Sequence, residues 1–89
     1  TVQTALHGLN VFPNPLTLGS EVQFNLQENS IIDLSIYTVQ GRKVTTLVCG
    51  KYTKGTHKVN IRAAGLEPGI YFCRLITGNE TSTIRVIKH

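Results

Sequence analysis

The chain has no tryptophan and no methionine, only three alanines, and only five acidic residues among 89. Against the three alanines stand eleven threonines, eight valines and eight isoleucines. β-Branched residues at that excess favour strands over helices, so an α-helical bundle is excluded. Long apolar runs are also missing. None approaches the roughly 20 residues that a membrane-spanning helix needs, and no charged start followed by an apolar stretch marks a signal peptide, so no direct membrane insertion is expected. The chain begins at Thr1 without methionine and reads as a piece of a longer protein whose own signal would lie upstream.

Catalytic and metal chemistry is equally scarce. The three histidines, His7, His57 and His89, are too far apart in sequence to suggest a ligand pair, and the two cysteines, Cys49 and Cys73, lack metal-type spacing. Two cysteines are also too few for a disulfide-dense secreted scaffold. Cys73 lies in the most apolar stretch and reads as a small core residue; Cys49 stands beside Gly50 at a strand end, and a disulfide between them requires that their strands be neighbours. The acids Glu21, Glu28, Asp33, Glu67 and Glu80 are scattered, with no two on one strand face at glycosidase-like spacing. The expectation is a protein that is not an enzyme and takes no metal or cofactor.

The formal charge is +4. Arg42, Lys43, Lys51, Lys54, Lys58 and Arg62 follow one another with no acid among them, which makes a positive central segment. Nucleic-acid binding would need aromatic rings beside those charges to stack bases, and Tyr52 is the only one there. The segment reads as a solvated face with no nucleic-acid partner. Asn79-Glu80-Thr81 has the form of a glycosylation sequon but falls in a tight turn.

The pattern that is present has a period of two. Val22, Phe24 and Leu26 alternate with Glu21, Gln23 and Asn25, as half-buried strands do. Ile32, Leu34 and Ile36 repeat the alternation, as do Val59 with Ile61 and Ile84 with Val86. Between Gly69 and Thr77 both faces are largely apolar, which predicts a central strand. Gly78-Asn79 predicts a two-residue type II′ turn joining the last two strands, Gln40-Gly41 a hairpin turn, and Glu67-Pro68-Gly69 a type II turn. Neither proline of Pro13-Asn14-Pro15 can donate to a ladder, so the first strand, around Leu9 to Phe12, ends there or crosses to another sheet.

Eighty-nine residues allow one domain, burying about 60–65% of the surface the unfolded chain exposes. About seven short strands with turns every 8 to 12 residues predict an all-β fold: an immunoglobulin-like β-sandwich of about seven antiparallel strands in two sheets. A partly open barrel is the competing architecture. Residues 1–89 are read as a single domain, with residues 1–7 as the end of a tether from an upstream domain.

Four segments in order then resemble a known family. Pro13-Asn14-Pro15, the run from Ile36 to Val44 that contains Gly41, Leu66-Glu67-Pro68-Gly69-Ile70-Tyr71-Phe72, and the closing Ile84-Arg85-Val86-Ile87-Lys88 resemble the C-terminal sorting domain of the type IX secretion system, the Por secretion tail. The related Ig-like domain of the flagellar hook-capping protein often carries Trp-Asp-Gly where this chain has Ile61-Arg62-Ala63, and that departure favours the sorting domain. The resemblance implies a non-catalytic recognition module, secreted or on the cell surface, that carries an upstream enzyme or adhesin through the periplasm to the outer-membrane secretion machinery. It also implies a sortase-like peptidase as a partner. Pro13, Asn14, Pro15, Gly41, Gly69, Tyr71 and Lys88 are the positions matching the family's motifs. Gly69 is expected to supply a turn conformation closed to other residues, Tyr71 a core anchor with its hydroxyl at an edge, and Lys88 a terminal cation for an acidic receptor groove.

A second reading stays open beside it. An accessory sandwich module of a secreted polysaccharide hydrolase would hold glycan on a row of aromatic rings, and Tyr37 with Tyr52 are the residues available for such a platform. A structural spacer between domains is a third.

Overall fold

Each period-two stretch forms a strand, and the glycine- and proline-containing stretches between them form the connections. The computed structural model describes residues 8–78 and 80–89, in which seven strands follow one another: β1 (Asn10–Phe12), β2 (Glu21–Leu26), β3 (Ser30–Thr38), β4 (Lys43–Tyr52), β5 (Gly55–Asn60), β6 (Gly69–Ile76) and β7 (Thr81–Lys88). A short 3-10 helix, Ala63–Gly65, lies between β5 and β6. The strands build two antiparallel sheets, β1-β2-β5 and β4-β3-β6-β7. No strand pairing joins the sheets among the described residues, so the architecture is the immunoglobulin-like sandwich and not the barrel.

The inward residues of both sheets make one core. Val22, Phe24 and Leu26 of β2 meet Ile32, Leu34 and Ile36 of β3, with Cys73 and Leu75 of β6 and Val86 of β7. Those of β2, β3 and β7 are residues that the alternation placed on the inner face; in β6, apolar on both faces, the structure turns Cys73 and Leu75 inward. Phe24 is fully buried, and the rings of Tyr52 and His57 stand 6.2 and 5.5 Å from it, closing the corner where the chain passes from β4 to β5. β6 is central, flanked by β3 and β7, as its two apolar faces predict.

β4 departs from simple alternation. Its register against β3 slips twice: Leu34 faces Val48 while Ser35 faces Thr46, and Ile36 faces Thr45 while Tyr37 faces Lys43. Leu47 and Val44 are therefore extra residues at β-bulges, and the first bulge turns Leu47 into the core at 3% exposure. A bulge re-aims a side chain in this way because two residues oppose one. β4 and β5 are the edge strands of one flank. Lys43 and Lys51 on β4, Lys54 in the turn and Lys58 on β5 line it, and bulges with lysines are the usual protection of open edges.

The turns differ in detail from their sequence readings. The β3–β4 hairpin closes as expected around Gly41. Gly41 N–H donates to the Thr38 carbonyl at 2.9 Å, Thr38 N–H donates to the Arg42 carbonyl at 2.8 Å, and Gly41 takes φ 91°, a conformation that glycine adopts without steric cost. β6 and β7 pair antiparallel as expected, and Thr77 N–H donates to the Glu80 carbonyl at 2.8 Å. The turn type and the sequon both depend on Asn79, which lies outside the described residues, as do residues 1–7 and the tether read there. The type II turn at Glu67-Pro68-Gly69 is not formed: Gly69 takes φ 153° in place of the roughly 80° such a turn requires, and is already the first residue of β6, opposite Lys88.

The cysteines do not pair. Cys73 points into the core from β6, Cys49 is exposed on β4 opposite Asp33, and β3 lies between their strands. Both are free thiols.

Phe24→Ala is expected to cost about 3–5 kcal/mol, the usual penalty for emptying a core aromatic site. That is a large share of a small domain's stability, and chemical denaturation of the purified domain would register it as a lower midpoint. Burial pushes the Cys73 thiol up to about 12. An unfolded chain releases that proton nearer the ordinary thiol range, so the folded state loses stability as pH rises from there toward about 12. Below that window Cys73 has no such effect. In the folded protein Cys73 should alkylate roughly a hundredfold more slowly than Cys49, because the thiolate is the reactive form and Cys73 is covered; equal rates at neutral pH would contradict the burial.

Candidate functional site

β7 is an edge strand, with β6 on one side only. In an antiparallel ladder successive residues direct their backbone groups alternately to the two sides. Those of Ile87 face away from β6, and the parity extends to Arg85, Thr83 and Thr81.

The end of this edge is taken by the Pro13-Asn14-Pro15 segment. Both prolines lack an N–H, so the segment cannot continue a ladder through its own backbone. The Asn14 side chain takes the place of a peptide group. Its Nδ2 donates to the Arg85 carbonyl at 3.1 Å, and its Oδ1 accepts from Ile87 N–H at 3.1 Å. Leu16 N–H then donates to the Ile87 carbonyl at 2.7 Å. The peptide bonds Phe12–Pro13 and Asn14–Pro15 are both cis. The first strand thus ends at the prolines and the chain crosses to the other sheet, which satisfies both branches of the sequence reading.

Ser20, which the sequence analysis did not single out, holds this segment from behind. It is fully buried. Its Oγ donates to the Pro13 carbonyl and accepts from Thr17 N–H, each at 2.8 Å, while its own carbonyl accepts from Ile61 N–H at 3.0 Å. The only sequence signal was a serine between a glycine turn and a strand.

The last residue of β7 is fixed from the other side. The Lys88 ammonium donates to the Ala63 carbonyl at 2.6 Å and the Leu66 carbonyl at 3.2 Å, capping the 3-10 helix. A lysine satisfies terminal helix carbonyls and their partial negative charge in this way. The cation expected to face a partner is therefore engaged within the domain. Gly69, opposite Lys88, takes φ 153°. A Cβ there would meet only Tyr71 Cε1 at 3.9 Å, so backbone conformation and not space calls for glycine. The Tyr71 hydroxyl donates to the Glu67 carbonyl at 2.6 Å while its ring packs on the core. A tyrosine near the start of a strand, bonded to the backbone a few residues upstream, is the tyrosine corner of immunoglobulin-like sandwiches.

Pro13, Asn14, Pro15, Gly69, Tyr71 and Lys88 thus gather around the final residues of β7. Gly41 lies at the same end of the sheet, because Thr38 pairs with Tyr71 and Tyr71 with Val86. Tyr37 and Tyr52 are not brought together. Tyr52 faces Ser30 at the far end of β3, about 20 Å along the strand from Tyr37 at the usual rise per residue. Tyr37 is 9% exposed, with Arg74 stacked 4.6 Å from its ring centre and the Lys43 ammonium 5.9 Å away. Lys43 also pairs with Asp33 at 3.5 Å, and Asp33 accepts a hydrogen bond from Ser35. No flat aromatic platform results. An open pocket of about 420 Å³ at the Tyr52 end is lined by Asn29, Ser30, Ile31, Lys51, Tyr52 and Thr53, away from the motif cluster. Among the described residues no three histidine, cysteine or acidic side chains gather to hold a metal ion, and no helix is long and apolar enough to cross a membrane.

The motif residues of this immunoglobulin-like β-sandwich thus gather on its closing strand. Residues 10–89 match the family described as the secretion system C-terminal sorting domain, and the chain belongs to that family. No curated protein matches it. The domain is a non-catalytic sorting tag of the type IX secretion system, works with that system's translocon, and marks its protein for the cell surface or medium.

Asn14→Ala would leave the Arg85 carbonyl and Ile87 N–H without their partner. A loss of about 1 kcal/mol is expected, since both bonds are exposed, together with faster amide hydrogen exchange at Ile87. Asn14→Asp keeps the acceptor for Ile87 and should preserve its protection. Equal exchange in all three proteins would contradict the clamp.

Proposed function

We propose that the translocon reads the closing strand β7 in the conformation fixed by Pro13, Asn14, Pro15, Gly69, Tyr71 and Lys88, with the Gly41 hairpin at the same end of the sheet. The observation that carries this reading is the convergence of motif residues, from Pro13 to Lys88, on the last residues of one edge strand. Core packing alone has no need of an asparagine amide on an exposed edge or of a lysine folded back under a short helix. In this reading the motif residues shape the strand rather than touch the receptor themselves, apart from the outer faces of the two prolines.

The cargo is a catalytic or adhesive domain upstream, with residues 1–89 forming one sorting unit and residues 1–7 the end of the tether. A sortase-like peptidase then acts at the junction. The support for both is the family's role in export, which presupposes something to export.

The test fuses residues 1–89 to a reporter with an ordinary signal peptide in a bacterium with a working type IX system. It runs beside a version lacking Thr83 to His89 and the Asn14→Ala and Lys88→Met variants. The intact domain should send the reporter to the surface or medium, the truncation should trap it in the periplasm, and the two variants should lower export while the domain stays folded. Export unaffected by the truncation would sink the role of β7.

A further inference from the structure

The Pro13–Leu16 segment covers only the last part of the β7 edge. By the parity set out above, Thr83 N–H and C=O and Arg85 N–H also face outward, and among the described residues no hydrogen bond reaches them. Thr81, Thr83 and Arg85 are all exposed. An open row of strand donors and acceptors is a template for another strand.

The other edges of the sandwich are protected. β4 carries two bulges with Lys43 and Lys51, β5 has Lys58 with Lys54 beside it, and β1 is three residues long and followed by Pro13. The first half of β7 has none of these devices. Thr81, Ser82, Thr83 and Ile84 carry no charge, proline or glycine, and the pairing of β7 with β6 runs from Ile76 opposite Thr81 to Gly69 opposite Lys88 without a register shift. Pairing by backbone groups selects polypeptide over other polymers.

Charge narrows the class further. Arg85 projects on the outer face of the sheet, and its guanidinium has no partner among the described residues. Its cationic neighbour Arg74 is stacked on Tyr37, and Asp33, two strands away from β7, is neutralised by Lys43. A strand laid beside β7 sets alternate side chains on that outer face, where an acid meets Arg85.

We propose that the open half of the β7 edge, Thr81 to Arg85, receives an extended acidic segment of a protein partner as a fifth strand of the four-stranded sheet. This deepens the reading of β7 as the strand engaged in export by naming how a partner would hold it.

The probe is a capped hexapeptide of alternating valine and glutamate, titrated into the isotope-labelled domain. Amide exchange at Thr83 and Arg85 should slow roughly tenfold when peptide stands at ten times its dissociation constant. N-methylating alternate peptide amides should abolish this in one of the two phases, and a valine–lysine counterpart should bind several-fold more weakly. Thr83→Pro removes an outward N–H while leaving the bonds to β6, and should lose the effect; Arg85→Glu should reverse the preference toward the lysine peptide. No slowing at either amide at millimolar peptide, or slowing that survives N-methylation in both phases, overturns the site. An exported reporter with no peptide on this edge leaves the sorting role and removes the edge site; a peptide on the edge with a trapped reporter does the reverse.

Discussion

The Asn14 side chain, bonded to both the Arg85 carbonyl and Ile87 N–H, ties the first segment of the chain to its last strand, and the placement of the end of β7 depends on it more than the folding of the sandwich does. A sandwich of two sheets must tie its first segment to its last strand, or the flank between them stands open. Here the first segment has lost two backbone donors to proline, and among the described residues its backbone supplies only Leu16 N–H to the Ile87 carbonyl. An asparagine amide sets an NH2 donor beside a carbonyl acceptor at about the spacing of a peptide group and can stand in for the missing ladder. Ser20 completes the arrangement by receiving Thr17 N–H and donating to Pro13, which leaves the segment few alternative conformations.

The two flanks of the sandwich are consequently unlike. On one, β4 and β5 meet solvent with bulges and lysines, which repel other strands. On the other, β7 is fixed at its end by Asn14, Leu16 and Lys88 and bare at its beginning. The fold also changes the part expected of Lys88, whose ammonium lies on the Ala63 and Leu66 carbonyls. That ammonium is held inside the domain and is not presented at its end.

Strand positions and inner faces were legible for β2, β3, β5 and β7, because a strand's side chains alternate with a period of two whatever it packs against. Val22, Phe24, Leu26, Ile32, Leu34 and Ile36 needed only the pattern. Leu47 could not be read so, since the bulge that turns it inward arises from the register of β4 on β3. Tyr37 looked like an outward ring because its parity is outward; it is covered because Arg74, remote in sequence, lies opposite Ser35 on the neighbouring strand. Gly69 was legible as a position needing glycine, though as the start of a strand and not as a turn.

The family's motifs could be found in the sequence, yet their purpose could not, because each consists of residues whose partners lie up to 73 positions away. Composition and periodicity determined an all-β chain with its core residues, since burial and alternation are local consequences of side-chain chemistry. Tertiary structure alone decided that the motifs meet at the end of β7, that the cysteines are separated by a strand, and that one half of one edge stays open. Those facts depend on which strands become neighbours and in what register, and pairing between distant segments leaves no mark on either segment by itself.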